Sequence, residues 1–173
     1  MRTLILGGAR SGKSALAERL AARDADVVYI ATAQARDGEM AARVAHHRER
    51  RPAHWRTVEE PLALAEALRE YAREGRCVLV DCLTLWLSNL LDEAQAADRY
   101  ERERDALLHD LPMLPGEIVL VSNEVGLGVV PLGELTRRFV DEAGRLHQHL
   151  GTRCERVLFV AAGLPLALKG DLP

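Results

Sequence analysis

The strongest chemical signal in the chain is the segment Gly7–Ser14, which matches the phosphate-binding pattern G-x-x-x-x-G-K-S. An apolar run precedes it and a segment with helical spacing follows it, which is the strand, loop and helix context that the pattern requires. Backbone N–H groups of such a loop and the start of the helix attract phosphate oxygens. Lys13 is expected to reach the β- and γ-phosphates, and the Ser14 hydroxyl to bind Mg²⁺. We therefore predict a nucleotide site; the alternative is a glycine-rich turn without a ligand.

A second candidate for chemistry is a predicted helix with two adjacent histidines, His46 and His47. On a helical wheel, His46 shares a polar face with Arg43 and Arg50, whereas His47 lies on the apolar face. Two guanidinium groups would bind phosphate oxygens and disfavour the imidazolium, which leaves a ring nitrogen of His46 free to attack phosphorus. The alternative is a solvated basic face without a chemical role.

Polar residues also follow two other predicted strands. Asp81 comes directly after Cys77–Val80, where an acid is the expected Mg²⁺ partner of a phosphate-binding loop, or else the N-cap of the next helix. Residues 122–131 combine a polar start with glycines and a final proline, which indicates a substrate loop or an ordinary turn. Trp55 can stack on a base or belong to the core, and the Glu59 carboxylate has the geometry to accept the N1–H and N2–H₂ donors of guanine.

Elements that position these residues can be recognised from the pattern of apolar segments. Five of them are short, rich in β-branched residues and apolar throughout, as in parallel strands that are covered on both faces. They lie at residues 2–6, 27–31, 77–80, 118–121 and 157–161. Helical stretches are predicted at 13–23, 39–50, 61–73, 83–110 and 133–150. This alternation predicts a doubly wound, mainly parallel α/β sheet of the P-loop NTPase type, with helices on both faces and one domain over residues 1–173.

Composition narrows the classes of function. The 173 residues carry a formal net charge of −3, which gives no electrostatic footprint for nucleic acid. No apolar run has the length of a membrane-spanning helix, and the first residues enter a predicted core strand, so neither membrane insertion nor a cleavable signal is expected. The three cysteines lack metal-binding spacing and are odd in number, which favours reduced thiols in the cytoplasm.

Taken together, the motifs resemble one family, the bifunctional adenosylcobinamide kinase/adenosylcobinamide-phosphate guanylyltransferases of cobalamin synthesis and salvage. The likeness extends from the first strand to Gly163-Leu-Pro165, and its specificity comes from the order and spacing of the segments. The segments that carry it are Gly7–Ser14, Tyr29-Ile-Ala-Thr32, Glu39-Met-Ala-Ala-Arg43, His46-His47-Arg48, Arg51-Pro-Ala-His-Trp55-Arg-Thr-Val-Glu59 and Ser122-Asn-Glu-Val-Gly126 through Pro131.

The resemblance implies an enzyme with two steps. It phosphorylates adenosylcobinamide with a nucleoside triphosphate, ATP or GTP, and then transfers GMP from GTP to the new phosphate through a covalent adduct on His46. It also implies Mg²⁺, catalytic roles for His46 and Lys13, metal contacts from Ser14 and Asp81, and a homo-oligomer that is a trimer in the family. The implied nucleotide contacts are Gly7, Gly8, Ala9, Arg10, Ser11, Gly12, Lys13, Ser14, Thr32, Ala33, Gln34, Glu49, Arg50, Arg51, Pro52, Glu59 and Asp81.

Two other functions fit parts of the sequence. A plain P-loop small-molecule kinase would use the basic histidine face only as a phosphate clamp or lid, and would form no covalent nucleotide. A nucleotide-binding regulatory module would bind nucleotide without turnover of a corrinoid. Labelling with GTP that carries label at the α- or the γ-phosphate separates the three.

Overall fold

A computed structural model of the chain describes residues 1–24, 26–34, 52–92, 96 and 98–173. Predictions that concern residues 35–51 lie outside the described residues. These predictions are the helix over residues 39–50 and the site residues Arg43, His46, Glu49, Arg50 and Arg51.

In the described part of the chain, one seven-stranded sheet carries the fold. Its strand order is β3-β2-β4-β5-β1-β6-β7, and neighbouring strands are parallel except for the antiparallel pair β6–β7. The strands are β1 (Arg2–Gly7), β2 (Asp26–Ala31), β3 (Arg56–Glu59), β4 (Arg76–Asp81), β5 (Glu117–Asn123), β6 (Arg156–Ala161) and β7 (Leu164–Lys169).

Helices cover both faces of this sheet. The described α-helices are α1 (Lys13–Ala21), α2 (Leu64–Tyr71), α3 (Leu83–Leu90), α4 (Arg99–Asp110) and α5 (Glu134–Arg153), and a 3₁₀ turn occupies Leu111–Met113. Successive strand residues point to opposite faces. Leu4 and Leu6 of β1 therefore pack in one buried cluster with α2 to α5, whereas Ile5 packs in the other cluster with α1. The predicted fold class, a doubly wound and mainly parallel α/β sheet, is confirmed.

Two parts of the prediction were incomplete. The stretch 83–110, predicted as helical throughout, contains two helices, α3 and α4, with a turn at residues 91–92. One helix of that length would extend about 42 Å, about twice the length of a six-residue strand, so the chain must turn to stay on the sheet. The two edge strands, β3 and β7, were not predicted. β3 is short, exposed and lacks an apolar run, and β7 is apolar but contains Pro165, a residue that argues against a strand.

Topology brings the described site residues at the ends of β1, β2, β3 and β4 to one edge, whereas Pro52 precedes β3. All strands except β7 end at the same side, the carboxyl edge, where ligands bind in open α/β sheets. β1 lies between β5 and β6, and β4 lies two places from β1. Among the described residues, no helix is both long and apolar enough to cross a membrane.

Candidate nucleotide site at the carboxyl edge

The turn from β1 into α1 has a backbone that requires glycine at two positions. A Cβ on Gly7 would lie 2.5 Å from the Val160 carbonyl oxygen and 2.6 Å from Ser11 Oγ. Gly12 has φ +96°, and a Cβ there would lie 3.0 Å from the Cα of Gly163. Side chains at either position would therefore displace the loop, which explains the glycines of the sequence pattern in physical terms.

Two backbone hydrogen bonds hold this loop, one from the residue after β5 and one from the turn after β6. The N–H of Glu124, which follows β5, donates to the Gly7 carbonyl at 3.0 Å. The N–H of Gly163, in the turn between β6 and β7, donates to the Ser11 carbonyl at 2.8 Å. A Cβ on Gly8 would meet no atom within 4 Å, so this side of the loop borders open space. The loop is thus fixed from two sides and open at Gly8.

The tip of the loop carries an unsatisfied buried hydroxyl. Ala9 and Arg10 are exposed, and Arg10 has φ +56°, a left-handed conformation that is uncommon outside glycine. The hydroxyl of Ser11 is buried and has no hydrogen-bond partner among the described residues. A buried hydroxyl without a partner lowers the free energy of unfolding by about 1–3 kcal/mol, and a hydrogen bond to a bound ligand would remove this loss.

Lys13 lies where the loop enters α1. Its side chain is 8% exposed, and Nζ donates to the Gly8 carbonyl at 3.1 Å. Burial lowers the pKa of this ammonium, and the nearby Cys82 and Asp81 act in the opposite direction. The lysine charge therefore sits in a partly desolvated place, where its interaction with phosphate is stronger than in water. The next residue, Ser14, is half-buried in the first turn of α1.

Asp81 ends β4 and is oriented by a tyrosine. The Tyr29 hydroxyl donates to Asp81 Oδ2 at 2.9 Å. The alternative role of Asp81 as a helix cap is wrong, because the N-cap of α3 is Cys82 and no side chain caps this helix. Two interstrand spacings, about 10 Å, separate β4 from β1. The Asp81 carboxylate acts on Lys13 by raising the pKa of the ammonium, against the larger lowering by burial.

Thr32, just after β2, is bonded to the protein. Its hydroxyl donates to the Cys82 carbonyl at 2.7 Å and accepts from the Cys82 N–H at 2.9 Å. Its own carbonyl accepts from Asn89 Nδ2 at 2.8 Å. The buried Thr32 therefore joins the end of β2 to the start of α3, while the next two predicted contacts, Ala33 and Gln34, are half-buried.

The end of β5 holds polar residues whose partners the sequence did not indicate. Asn123 is level with Gly7 in the sheet, and its Nδ2 donates to Thr84 Oγ1 at 2.8 Å. Ser122 Oγ and His147 Nε2 lie 2.8 Å apart, and His147 Nδ1 is 3.7 Å from Glu124 Oε2. This Ser–His–Glu order resembles a hydrolase triad, but the Ser122 side chain is fully buried and cannot reach a substrate.

The remaining predicted residues lie near β3, at the far side of the sheet. Pro52 is exposed and its carbonyl accepts from the Trp55 N–H at 3.0 Å. Trp55 belongs to the buried cluster with α1, which favours its alternative role in the core. Glu59 is exposed at the carboxyl end of β3, four interstrand spacings or about 19 Å from β1. Glu60 uses Oε1 to accept from two backbone N–H groups before α2.

Sequence reasoning missed several positioning residues of this edge. Tyr29, Thr84 and His147 are buried, and each bonds a residue in the last two positions of another strand. Asn89 left the clearest signal, because it is a buried amide in a mostly apolar helix, α3, and it bonds the carbonyls of Thr32 and Pro61.

Sequence comparisons identify close relatives along the whole chain. The family model for cobinamide kinase/cobinamide phosphate guanyltransferase matches residues 3–168. The chain is 69% identical to the bifunctional adenosylcobalamin biosynthesis protein CobP of Pseudomonas aeruginosa, over 99% of both chains. It is 40% identical to the Escherichia coli protein CobU, with 98% of this chain and 100% of the relative covered, and 39% identical to CobU of Salmonella typhimurium over the same shares.

Structure comparisons support the fold. A type III secretion system ATPase superposes with a TM-score of 0.54 at 14% identity, over 96% of this chain and 56% of the ATPase. A Pyrococcus horikoshii protein superposes with a TM-score of 0.56 at 7% identity, over 99% of this chain and 87% of that protein. At these identities the likeness shows the fold alone, a P-loop NTPase-type sheet.

Proposed function

The chain belongs to the cobinamide kinase/cobinamide phosphate guanyltransferase family, and from this membership we propose how one phosphate-binding loop serves two reactions. In the first, the γ-phosphoryl group of ATP or GTP passes to the aminopropanol hydroxyl of adenosylcobinamide, which loses its proton, and the nucleoside diphosphate leaves. In the second, GMP passes from GTP to that phosphate, pyrophosphate leaves, and adenosylcobinamide-GDP forms. The whole chain, residues 1–173, acts as one catalytic domain.

The observation that carries this proposal is the buried Lys13 at a glycine loop that two neighbouring strands hold in place. In the kinase step its charge stabilises the γ-phosphoryl group in transfer. In the guanylyl step it stabilises the departing pyrophosphate. A fixed charge of this kind needs no reorganisation during the reaction, which is the main source of electrostatic catalysis. The residues at Gly7–Ser14 then contact the phosphates in both reactions.

Ser14 and Asp81 fit a Mg²⁺ ion bound with the nucleotide. Both offer hard oxygen donors, and Tyr29 fixes one oxygen of Asp81. The described residues contain no cluster of three or more His, Cys, Asp or Glu side chains suited to a metal. That fits Mg²⁺, which is usually held by one or two protein oxygens together with phosphates and water. When bound, the ion neutralises phosphate charge.

The guanylyl step proceeds in two displacements through His46. A neutral ring nitrogen of His46 attacks the α-phosphorus of GTP, and the bond to pyrophosphate breaks. A phosphate oxygen of adenosylcobinamide phosphate then attacks the same phosphorus, and the histidine leaves with its electron pair. Support comes from the sequence pattern, which predicts a helical face shared by Arg43, His46 and Arg50. Glu49, Arg50, Arg51 and Pro52 contact the nucleotide beside it.

Labelled GTP tests this proposal directly. Label at the α-phosphate should become bound to the protein, through a bond that is labile in acid and stable in base, whereas label at the γ-phosphate should not. His46→Ala should abolish this adduct and the guanylyl step but keep much of the kinase step. His47→Ala is the matched control and should retain labelling. Label on His47 would contradict the helical face, and label on neither histidine would favour a plain kinase.

Three further features complete the proposal. Glu59 accepts the two guanine donors, and Thr32, Ala33 and Gln34 border the nucleotide.

The chain acts in the cytoplasm and forms a homo-oligomer, as the trimeric arrangement implied by the resemblance suggests. The exposed leucines of the edge strand β7 support an assembled state, because an unpaired apolar edge strand tends to bind another chain. Light scattering measures the subunit number.

A further inference from the structure

We propose that the loop at residues 124–133, here named the apolar loop, binds the corrinoid acceptor beside the nucleotide. This inference rests on the proposed function and adds the surface that receives its second substrate. The sequence pattern of residues 122–131, which overlap the apolar loop, indicates a substrate loop or an ordinary turn, and the exposed side chains favour the substrate loop.

The apolar loop exposes large hydrophobic side chains in one short segment. Leu127, Val129, Val130 and Leu132 are 80%, 95%, 74% and 98% exposed, and Leu135 in the first turn of α5 extends the patch. Turns are ordinarily polar, because exposed apolar groups gain nothing from water. A contiguous exposed apolar patch marks an interaction site.

The patch and the phosphate-binding loop are joined through Glu124. The apolar loop begins at Glu124, whose N–H donates to the Gly7 carbonyl of the phosphate-binding loop at 3.0 Å. Glu124 Oε1 accepts from the Gly126 N–H at 2.6 Å, and Oε2 lies 3.7 Å from His147. An acceptor on this patch would therefore hold its hydroxyl or phosphate arm next to the nucleotide phosphates.

The other end of the apolar loop is also fixed. The guanidinium of Arg137 donates to the Pro131 carbonyl at 3.1 Å and to the Leu132 carbonyl. The exposed Arg137 therefore holds this end at the surface, and the backbone bond from Glu124 to Gly7 holds the other end, so the apolar residues between them are restricted in turning inward. A surface that is ordered in advance loses less conformational entropy when it binds.

The chemistry of the acceptor fits this surface. A corrinoid is a broad macrocycle with many methyl groups, too large for a pocket between two side chains, and its amide arms project around the rim. The exposed apolar side chains of the loop contact the hydrocarbon part and leave the arms in water. Arg137 and Arg138 are exposed beside the patch and complement the negative charge of the phosphorylated acceptor.

A second copy of the chain fits β7 better than the apolar loop. Leu164, Leu166 and Leu168 alternate along β7 and are exposed. β7 is an edge strand of the sheet, so it offers backbone hydrogen-bonding groups together with leucines. The apolar loop belongs to no strand and offers side chains alone. We therefore assign β7 to the subunit contact and the apolar loop to the acceptor.

The test measures acceptor and nucleotide separately in the full-length enzyme. The double variant Leu127→Ser with Leu132→Ser should raise the KM for cobinamide by about tenfold or more, as expected when apolar contacts are lost. The KM for GTP and the labelling from α-labelled GTP should stay unchanged. Equilibrium dialysis of cobinamide, followed by its visible absorbance, should show the same loss of affinity.

Two control variants define the outcomes. Met113→Ser removes a matched exposed side chain near the amino edge and should change nothing. Leu166→Ser should lower the oligomer mass in light scattering, while the loop variant should keep it. An unchanged KM for cobinamide, or a loop variant that loses subunits, would overturn the inference while the wild-type activity stands. A wild-type enzyme without turnover of cobinamide would overturn the proposed function, and this inference with it.

Discussion

The two edges of the sheet differ in how their polar groups are arranged. At the amino edge, ion pairs lie at the surface. The N-terminal ammonium is 3.1 Å from Glu117 Oε1, and Arg76 Nε is 2.7 Å from Asp26 Oδ2. These groups remain in contact with water, and such pairs contribute only about 0–1 kcal/mol each. These two exposed pairs therefore do little to fix the amino edge, where Arg2 also donates to the carbonyls of Leu111 and Pro112.

At the carboxyl edge, the polar groups are buried and bonded between elements. The Thr32 hydroxyl bonds both backbone groups of Cys82, and Ser122 Oγ lies 2.8 Å from His147 Nε2. A buried group that loses its partner costs about 1–3 kcal/mol, so these bonds fix the elements in one arrangement. The buried, directional hydrogen bonds named here thus lie at the carboxyl edge, where phosphate chemistry needs fixed geometry.

Loss of the loop lysine should have the largest effect. Lys13→Ala should lower both the kinase and the guanylyl rate by about 10²–10³-fold or more, because it removes a fixed charge at the phosphates. Steady-state assays of each step provide the measurement. Asp26→Ala at the amino edge serves as the control and should keep both rates. Near-normal GTP turnover in Lys13→Ala would show that the chemistry lies elsewhere.

Thr32→Val should strongly destabilise the carboxyl edge. The substitution keeps the shape but leaves the Cys82 N–H without its hydroxyl partner, whereas the Cys82 carbonyl still accepts from the N–H groups of Leu85 and Trp86. The free energy of unfolding should therefore fall by about 1–3 kcal/mol. Urea unfolding measures this value, and Thr32→Ser, which keeps the hydroxyl, should recover most of it. A stable Thr32→Val variant with weaker GTP binding would instead mean that the hydroxyl serves the nucleotide.

Glu59→Gln should narrow the preference for GTP over ATP in the guanylyl step. The neutral amide replaces one acceptor with a donor and no longer matches the two guanine donors, a loss of about 1–3 kcal/mol. The ratio of kcat/KM for the two nucleotides is the measurement. Glu60→Gln is the matched control, since Oε1 of Glu60 caps the backbone before α2. An unchanged ratio in Glu59→Gln would move base recognition to another residue.

His147 should make stability depend on pH. Burial lowers its pKa below the ordinary value of 6.5, and Glu124 opposes this shift. Because the unfolded chain takes up the proton first, stability is complete above pH 6.5 and decreases as the pH falls through the lowered native pKa. Urea unfolding of wild type and His147→Gln across this range should show a smaller pH slope in the variant. Equal slopes would assign the dependence to other groups.

The central fold could be predicted because its signals are local. The phosphate-binding loop needs glycines at fixed positions, and the buried parallel strands are continuously apolar, as in Val27–Ala31. The edge strands could not be predicted, since Arg56–Glu59 is short and exposed and gains its structure from pairing with β2. Its hydrogen bonds are tertiary and leave no periodic pattern in the chain.

Beyond the phosphate-binding loop, the described part of the site was predictable only as single residues at strand ends. Asp81 was recognised from its place after an apolar strand, but its partner Tyr29 is 52 residues away along the chain. The bond between Thr32 and Cys82 spans 50 residues. Such pairs depend on the strand order β2-β4-β5-β1, and nothing within the chain's local pattern fixes that order. Buried polar residues inside apolar elements, such as Asn89, are the usable signal.

The smallest effect is expected at the amino edge. Asp26→Ala removes the carboxylate that Arg76 Nε contacts at 2.7 Å, yet Arg76 Nη1 keeps its hydrogen bond to the Tyr71 carbonyl at 3.1 Å. The Asp26 side chain is 54% exposed, so water replaces the lost partner and the free energy of unfolding should fall by less than about 1 kcal/mol. Raising the salt concentration should reduce even this difference, because exposed charges are screened. Urea unfolding at low and high salt measures it. A loss as large as that of Thr32→Val, or any loss of catalytic rate, would show that the two edges do not differ in the way argued above.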